Sequence, residues 1–79
     1  MKKNLYLVQI LNHMTREFET LKLGSDPLHL SRDMAIITCT YLLKQRFPNI
    51  VPVMVNQNQF CDAASPMLGE KCYGCILEI

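Results

Sequence analysis

The chain has no tryptophan, only three glycines and an almost balanced charge. The small number of glycines and the balanced charge each argue against a class of function. The glycines, Gly24, Gly69 and Gly74, are too far apart to form the loop that cradles phosphate in nucleotide-binding proteins. The 8 basic and 7 acidic side chains are spread along the chain and give a formal net charge of +1. Nucleic-acid binding needs a basic face and nucleic-acid mimicry a strongly acidic one, so this balance argues against both.

Long apolar runs are also missing. No run reaches the roughly 20 residues that a membrane-spanning helix requires. Residues 5–11 follow Lys2 and Lys3 in the way a signal peptide begins, but this run is short, contains Gln9 and leads to no small-residue cleavage site. A strand explains it better. We therefore predict a cytoplasmic protein that contacts no membrane.

The chain is rich in apolar side chains. Of its 79 residues, 49% are hydrophobic and 19% are charged, which is typical of a folded domain rather than of a disordered tail. At this length we expect one domain, residues 1–79. Such a domain buries only about 60–65% of the surface of its unfolded chain, so its core must be small.

Four strands are predicted from the spacing of apolar and turn-forming residues. Residues 5–11 are apolar on both sides, which is typical of a central strand, whereas the charges of residues 16–23 are typical of an edge strand. The last two strands are predicted at residues 50–55 and 72–79. A loop, residues 56–71, joins them and is longer than an ordinary hairpin loop.

One helix is predicted between the two pairs of strands. Asp26 and Pro27 are typical of a helix entrance with Ser25 or Asp26 as its cap, and Ser31 is a second candidate for the cap. The helix is predicted to end just before Pro48. Its apolar residues cover more than one face. The order is therefore ββαββ, an α+β fold in which a four-stranded antiparallel sheet carries one helix on one face.

The cysteines are the first candidates for chemistry: Cys39, Cys61, Cys72 and Cys75. An even number permits disulfides in an oxidising compartment, but reduced thiols are expected in the cytoplasm. Cys72 and Cys75, with Cys61, offer three zinc ligands, yet residues three apart in a straight strand point to opposite faces. The pair meets only if Gly74 permits a bulge. We predict structural thiols and no cofactor, with a zinc-binding or thiol-based domain that uses Cys61, Cys72 and Cys75 as the alternative.

No set of residues in the sequence is typical of an enzyme. His13 lies in a predicted turn and His29 near the predicted helix entrance, and nothing places either beside a reactive thiolate. Glu17 and Glu19 share a face of the charged strand, where solvated carboxylates explain them better than paired catalytic acids do. We therefore predict a protein without enzymatic activity.

The predicted apolar surface exceeds what one helix covers. Since the first strand is apolar on both faces and the helix almost all round, either the loop residues Phe60, Met67 and Leu68 cover the second face or another protein does. We expect an external partner: a larger host protein or complex, with a homodimer as the alternative. The residues predicted to contact the partner are Tyr6, Val8, Ile10, Gln57, Gln59, Phe60 and Met67.

The order of elements resembles that of small single-domain inhibitors encoded by phages and mobile elements, including anti-CRISPR proteins. The resemblance covers the strand at residues 5–11, the charged return strand that ends at Leu23, the Ser25-Asp26-Pro27 segment and the two closing strands. No motif carries it. It implies a non-enzymatic protein that inhibits a host defence complex stoichiometrically by occupying a protein surface.

Overall fold

The computed structural model describes residues 4–64 and 72–79, which form an α+β fold of seven strands and one helix. The strands are β1 (Tyr6–Asn12), β2 (Glu17–Thr20), β3 (Lys22–Leu23), β4 (Asp26–Pro27), β5 (Pro52–Met54), β6 (Gln59–Asp62) and β7 (Gly74–Glu78). The helix α1, Arg32–Arg46, lies between β4 and β5 in the chain. In this part of the chain no helix is long and apolar enough to cross a membrane.

Five strands form one antiparallel sheet in the order β2-β1-β7-β6-β5. The prediction that the first strand lies inside the sheet is confirmed, because β1 pairs with β2 on one side and β7 on the other. Its charged neighbour β2 is at the edge, as predicted. β3 and β4 form a separate two-stranded sheet. The predicted four-stranded ββαββ layout is therefore not the one observed.

The predicted helix entrance at Asp26 and Pro27 is wrong. These residues form β4, which pairs with β3 across a two-residue turn. Gly24 permits that turn because its φ of 68° lies in the left-handed region that residues with a side chain avoid. The helix begins instead after Ser31, the second candidate cap, whose hydroxyl accepts a hydrogen bond from the backbone N–H of Met34 at 3.4 Å.

The charged strand predicted over residues 16–23 is interrupted at Leu21. β2 ends at Thr20 and β3 begins at Lys22. Leu21 packs against the core, and its carbonyl accepts a hydrogen bond from the backbone N–H of Leu28 at 3.0 Å. The chain thus leaves the main sheet at this residue and starts the small β3–β4 hairpin.

The loop predicted over residues 56–71 contains an additional strand, β6. The side-chain oxygen of Asn56 accepts hydrogen bonds from the backbone N–H groups of Asn58 and Gln59, so the amide-rich run forms the turn between β5 and β6. β6 then pairs with β7 and extends the sheet. Asparagine and glutamine indicate a turn rather than a strand, which is why this strand was not predicted. Residues 65–71 of the predicted loop lie outside the described residues.

The helix packs on one face of the sheet, as predicted, and the core lies between the helix and the sheet. The core residues are Tyr6, Val8, Ile10, Ala35, Cys39, Leu43, Phe60 and Ile76. The helix residues among them, Ala35, Cys39 and Leu43, follow one another at intervals of four, so a narrow stripe makes the contact. The helix ends at Arg46, and the prediction of its end near Pro48 is confirmed.

A β-bulge distorts the start of β7. Phe60 of β6 pairs with Gly74, and its carbonyl also accepts a hydrogen bond from the backbone N–H of Tyr73 at 2.9 Å. Two consecutive residues on one segment thus oppose one residue on the other, which is the arrangement of a bulge. Because a bulge shifts the pairing of the residues beyond it by one, it brings the segment that contains Cys72 alongside Cys61, and their sulfur atoms are 3.8 Å apart.

Candidate functional site

The outward face of α1 carries a second apolar stripe in addition to the buried one. Met34, Ile37 and Tyr41, which we call the outer stripe, have exposed fractions of 49%, 60% and 61%. At 3.6 residues per turn, their mean direction is about 180° from that of the buried stripe. A helix that only covers a sheet has polar residues in this position. The outer stripe is therefore not required by the fold.

The fold determines where the outer stripe points. The buried stripe sets the rotation of the helix about its axis, and both helix ends are closed by hydrogen bonds. Ser31 caps the first turn, and the backbone N–H of Phe47 donates to the carbonyl of Leu43 at 2.8 Å. Any partner consequently meets a preformed helix with apolar side chains at positions i, i+3 and i+7.

Polar side chains border the outer stripe. Asp33 and Lys44 are exposed on one side of it, and Gln45 is exposed on the other, according to the helical spacing. An apolar centre with a polar rim is the usual composition of a protein–protein interface. The outer stripe and the residues that border it share this composition.

The sheet face that points away from the helix is a second, weaker apolar surface. Leu7 pairs with Leu77 and Leu11 with Phe18, which places two apolar rows on this face. Phe18 and Leu77 are 41% and 42% exposed. The polar side chain of Gln9 separates the rows. Alternation along the strands places Leu5 and Ile79 on this face as well, and they are 40% and 66% exposed. Since Gln9 interrupts the apolar rows, we rank this face below the outer stripe.

Four of the residues predicted to contact a partner are core residues. Tyr6, Val8, Ile10 and Phe60 lie beneath the helix and are at most 8% exposed. A partner does not reach such side chains, so in the folded protein they support the helix. Alternation along β1 correctly predicted two apolar faces, but it does not indicate which of them the helix covers.

Gln57, also predicted to contact a partner, lies in the turn that precedes β6, and Gln59, another predicted contact, is the first residue of that strand. The carbonyl of the exposed Gln57 accepts a hydrogen bond from the guanidinium of Arg32 at 2.6 Å, which joins this turn to the start of the helix. The side-chain oxygen of Gln59 accepts a hydrogen bond from the side chain of Asn56 at 2.9 Å. Met67, the remaining predicted contact, lies outside the described residues.

Three cysteines gather around the bulge, as the shifted pairing requires. The sulfur atoms of Cys61 and Cys72 are 3.8 Å apart. Cys61 is buried, whereas Cys72 and Cys75 are half-buried. Burial, the hydrogen bond with Cys72 and the charge of an ionised Cys72 together raise the pKa of Cys61 to about 11. Burial, and to a smaller degree the same charge, raises the pKa of Cys75.

The arrangement of these thiols is that of a close pair rather than of a metal centre. The bulge that the zinc interpretation required at Gly74 is present, but the contact that it produces joins Cys72 to Cys61. Within residues 4–64 and 72–79, no group of three or more histidine, cysteine, aspartate or glutamate side chains is arranged to hold a metal ion. Cys39 lies on the buried face of the helix, in the core.

The side chains considered for catalysis make structural contacts. His13 packs against the ring of Phe47 in an edge-on arrangement, with 5.9 Å between the ring centroids. Glu19 accepts a hydrogen bond from the side chain of Asn12 at 2.9 Å and forms an exposed ion pair with Arg46 at 3.7 Å. Such contacts on a solvated surface are typical of an edge strand and its neighbouring helix end.

Comparison with known proteins assigns no family to this chain. No protein-family model matches it, no curated protein matches it and no solved structure matches it. A function therefore has to be inferred from the surfaces themselves. Of the two apolar surfaces described above, the outer stripe is the uninterrupted one and the less required by the fold.

Proposed function

We propose that the protein is a non-enzymatic interaction module that binds a larger protein through the outer stripe of α1. The observation that carries this proposal is the exposure of Met34, Ile37 and Tyr41 at helical spacing on the side opposite the core. Burying a fully exposed large apolar side chain contributes about 1.5–3 kcal/mol, and these three side chains still have about half of their surface to bury, so together they supply a substantial part of the favourable energy of a docking contact. Tyrosine is also enriched among the residues that dominate interface energies.

The partner surface that fits this stripe is an apolar groove with a polar rim. Amphipathic helices bind such grooves through anchors at positions i, i+3 and i+7, which is the spacing of the outer stripe. Because the net charge of the chain is only +1, long-range attraction contributes little to association. Binding is therefore expected to depend weakly on salt concentration.

Strand addition at the sheet edges is less favoured. The outer strands of the described sheet are β2 and β5, with four and three residues. β2 carries Glu17 and Glu19, and β5 contains Pro52, which has no backbone N–H to donate. Short edges with charges or proline oppose pairing with another strand.

The narrower role of a stoichiometric inhibitor of a CRISPR-type defence complex rests on the architectural resemblance alone. That resemblance used a ββαββ order, whereas the described sheets contain additional strands, β4 and β6, and a separate β3. The near-neutral charge agrees with binding to a protein surface rather than with nucleic-acid mimicry. Inhibition of such a complex stays a prediction, to be tested by titrating the protein into a purified effector complex and measuring target cleavage.

Matched surface variants test the proposal. Ile37→Asp with Tyr41→Ala alters the outer stripe, and Phe18→Ser with Leu77→Ser alters the open sheet face to a similar extent. Each variant and the unmutated chain would be used to capture partners, after circular dichroism confirms that all three are folded. We expect one protein to be captured by the unmutated chain and by the sheet-face variant, and to be lost with the outer-stripe variant.

Two outcomes would change the assignment. Retention of the captured protein by the outer-stripe variant, or its loss with the sheet-face variant, would overturn the proposed surface. Light scattering addresses the homodimer. A dimer of the unmutated chain that becomes a monomer on Ile37→Asp substitution would make a second copy of the chain the partner of the stripe.

A further inference from the structure

We propose that Cys61 and Cys72 form a modification site, a dithiol that a low-molecular-weight disulfide oxidises to an intramolecular disulfide bond. Their sulfur atoms are 3.8 Å apart in the reduced protein. The sulfur atoms of a disulfide are about 2.0 Å apart, so a small movement of the two side chains closes the bond. This inference is independent of the proposed function, because it uses neither the outer stripe nor a protein partner.

The backbone around the bulge favours the bond. The backbone N–H of Tyr73 donates to the carbonyl of Phe60, the residue before Cys61, so the segment that contains Cys72 runs alongside β6. Disulfides span Cα separations of about 4.4–6.8 Å, which neighbouring segments joined by backbone hydrogen bonds provide.

The different exposure of the two thiols sets the order of the steps. Cys72 is half-buried and meets the oxidant first, whereas Cys61 is buried behind it. In the first step, the Cys72 thiolate attacks one sulfur of the external disulfide. A mixed disulfide forms at Cys72, the external sulfur–sulfur bond breaks, and the leaving thiolate takes up the proton that Cys72 released.

The second step closes the protein disulfide. Cys61 loses its proton to solvent and attacks the Cys72 sulfur of the mixed disulfide. The Cys61–Cys72 bond forms, and the second external thiolate leaves and is protonated. Overall, two protein thiols are oxidised by two electrons, and one external disulfide is reduced to two thiols.

The environment of Cys61 makes the second step the slower one. With a pKa of about 11, Cys61 is only rarely a thiolate at neutral pH. The hydrogen bond with Cys72 and the charge on Cys72 contribute to that value, and the charge is absent once Cys72 carries the external thiol. Capping of Cys72 therefore favours ionisation of Cys61. Ring closure should accelerate by up to about tenfold per pH unit in the range below its pKa.

Cys75 provides a matched control. It is half-buried near the bulge, and its sulfur donates to the side-chain oxygen of Gln9 at 3.5 Å. It is three residues from Cys72, and the charge of Cys72 adds to the effect of burial in raising its pKa, so we take it as the competing partner for Cys72. Cys39 lies on the buried face of α1 and is fully buried, so it is not accessible to the oxidant.

The experiment uses the folded, full-length chain and oxidised glutathione. After incubation, remaining thiols are alkylated, and intact mass and peptide mapping identify which cysteines are linked. We expect the unmutated chain to lose two alkylation sites and to yield a Cys61–Cys72 cross-link. Cys75→Ala should behave in the same way, whereas Cys61→Ala should stop at a glutathione adduct on Cys72.

Several results would overturn the proposal: a Cys72–Cys75 link in the unmutated chain, a glutathione adduct that never closes, or a Cys75→Ala chain that fails to cross-link. Peptide mapping of the unmutated chain needs no variant, so it tests the proposed disulfide even if the Cys61→Ala chain does not fold. As a second measurement, closure should raise Tm by an amount on the order of 10 °C, and a reductant should reverse the rise. An unchanged Tm in a chain shown to be cross-linked would mean that the bond strains the native fold.

Discussion

Cys39 lies directly over Gly74, at the point where the helix comes closest to the sheet. A Cβ atom added at Gly74 would be 3.1 Å from the sulfur of Cys39 and 3.1 Å from the carbonyl oxygen of Gln9. Only glycine accommodates both neighbours without a shift of the surrounding atoms. Because Gly74 also belongs to the bulge that aligns Cys72 with Cys61, one small residue determines both the packing of the helix and the pairing of the thiols.

Gly74→Ala should therefore destabilise the protein by about 1–3 kcal/mol, the usual cost of overpacking a core. The side chain of Cys39 can rotate away, but the backbone carbonyl of Gln9 is held by the β1–β7 pairing. The free energy of unfolding in urea measures the effect.

Gly24→Ala is the control for that substitution. Among the described residues, no atom lies within 4 Å of a Cβ built at Gly24, whose φ is 68°. Its expected loss, about 1–2 kcal/mol, comes from backbone strain alone and leaves the core unaltered. An unfolding midpoint that stays the same after Gly74→Ala would contradict the close helix–sheet contact.

The two apolar faces of α1 should respond differently to truncation. Leu43 is 0% exposed, so Leu43→Ala is expected to reduce the free energy of unfolding by about 2–5 kcal/mol. Ile37 is 60% exposed, and Ile37→Ala should change it by no more than about 0.5 kcal/mol. Urea denaturation of both variants tests the orientation of the helix. Equal losses would show that the outer stripe is packed in the isolated protein.

The start of the helix is tested by two serine substitutions. Ser31→Ala removes the oxygen that accepts a hydrogen bond from Met34 and should cost about 0.5–1 kcal/mol, the low end for a cap because the bond is long at 3.4 Å. Ser25→Ala, at the exposed turn between β3 and β4, should have almost no effect. Thermal unfolding monitored by circular dichroism measures both. A larger loss of stability for Ser25→Ala than for Ser31→Ala would support the helix start at Asp26 and Pro27 that the sequence predicts.

The buried thiol of Cys39 should make the protein less stable at alkaline pH. Burial, and to a smaller extent the charge of Cys75, raises the pKa of Cys39 to about 12. An unfolded cysteine ionises near pH 8.5, at about its reference pKa. Above that pH the unfolded chain releases a proton that the folded protein retains. Stability is thus complete below about pH 8.5 and falls as pH rises towards 12, by up to about 1.4 kcal/mol per pH unit for this group.

Urea denaturation between pH 7 and pH 10.5, in the presence of a reductant, measures this dependence. Cys39→Ala should be less stable at neutral pH because it leaves a cavity, but its stability should fall less steeply with pH. Identical slopes for the two proteins would show that Cys39 does not titrate differently in the folded and unfolded states.

The candidate surface was visible in the sequence as an excess of apolar residues, but its location was not. Apolar side chains almost all round the helix indicate that some of them stay exposed, and Met34, Ile37 and Tyr41 are those residues. The sequence pointed instead to Tyr6 and Val8, because a strand that is apolar on both faces does not reveal which face the helix will cover.

The features that depend on residues close together in the chain were predictable from the sequence. Apolar periodicity indicated an α+β fold with one helix and an interior first strand, and the residues before Pro48 indicated the end of that helix. These signals are local, because a turn, a cap or a strand face depends on a few neighbouring residues. Ser31 was accordingly among the predicted caps, although local chemistry did not choose between it and Asp26.

Which distant segments meet depends on the packing of the whole fold and not on any local pattern of residues. The pairing of β6 with β7, the bulge at Gly74 and the contact of Cys61 with Cys72 join residues that are separated in the chain. Their energies depend on how the helix and the strands pack around one another, so no short window of sequence contains them. The same packing turned one stripe of α1 towards the core and left the opposite stripe, which the fold does not need, facing outwards.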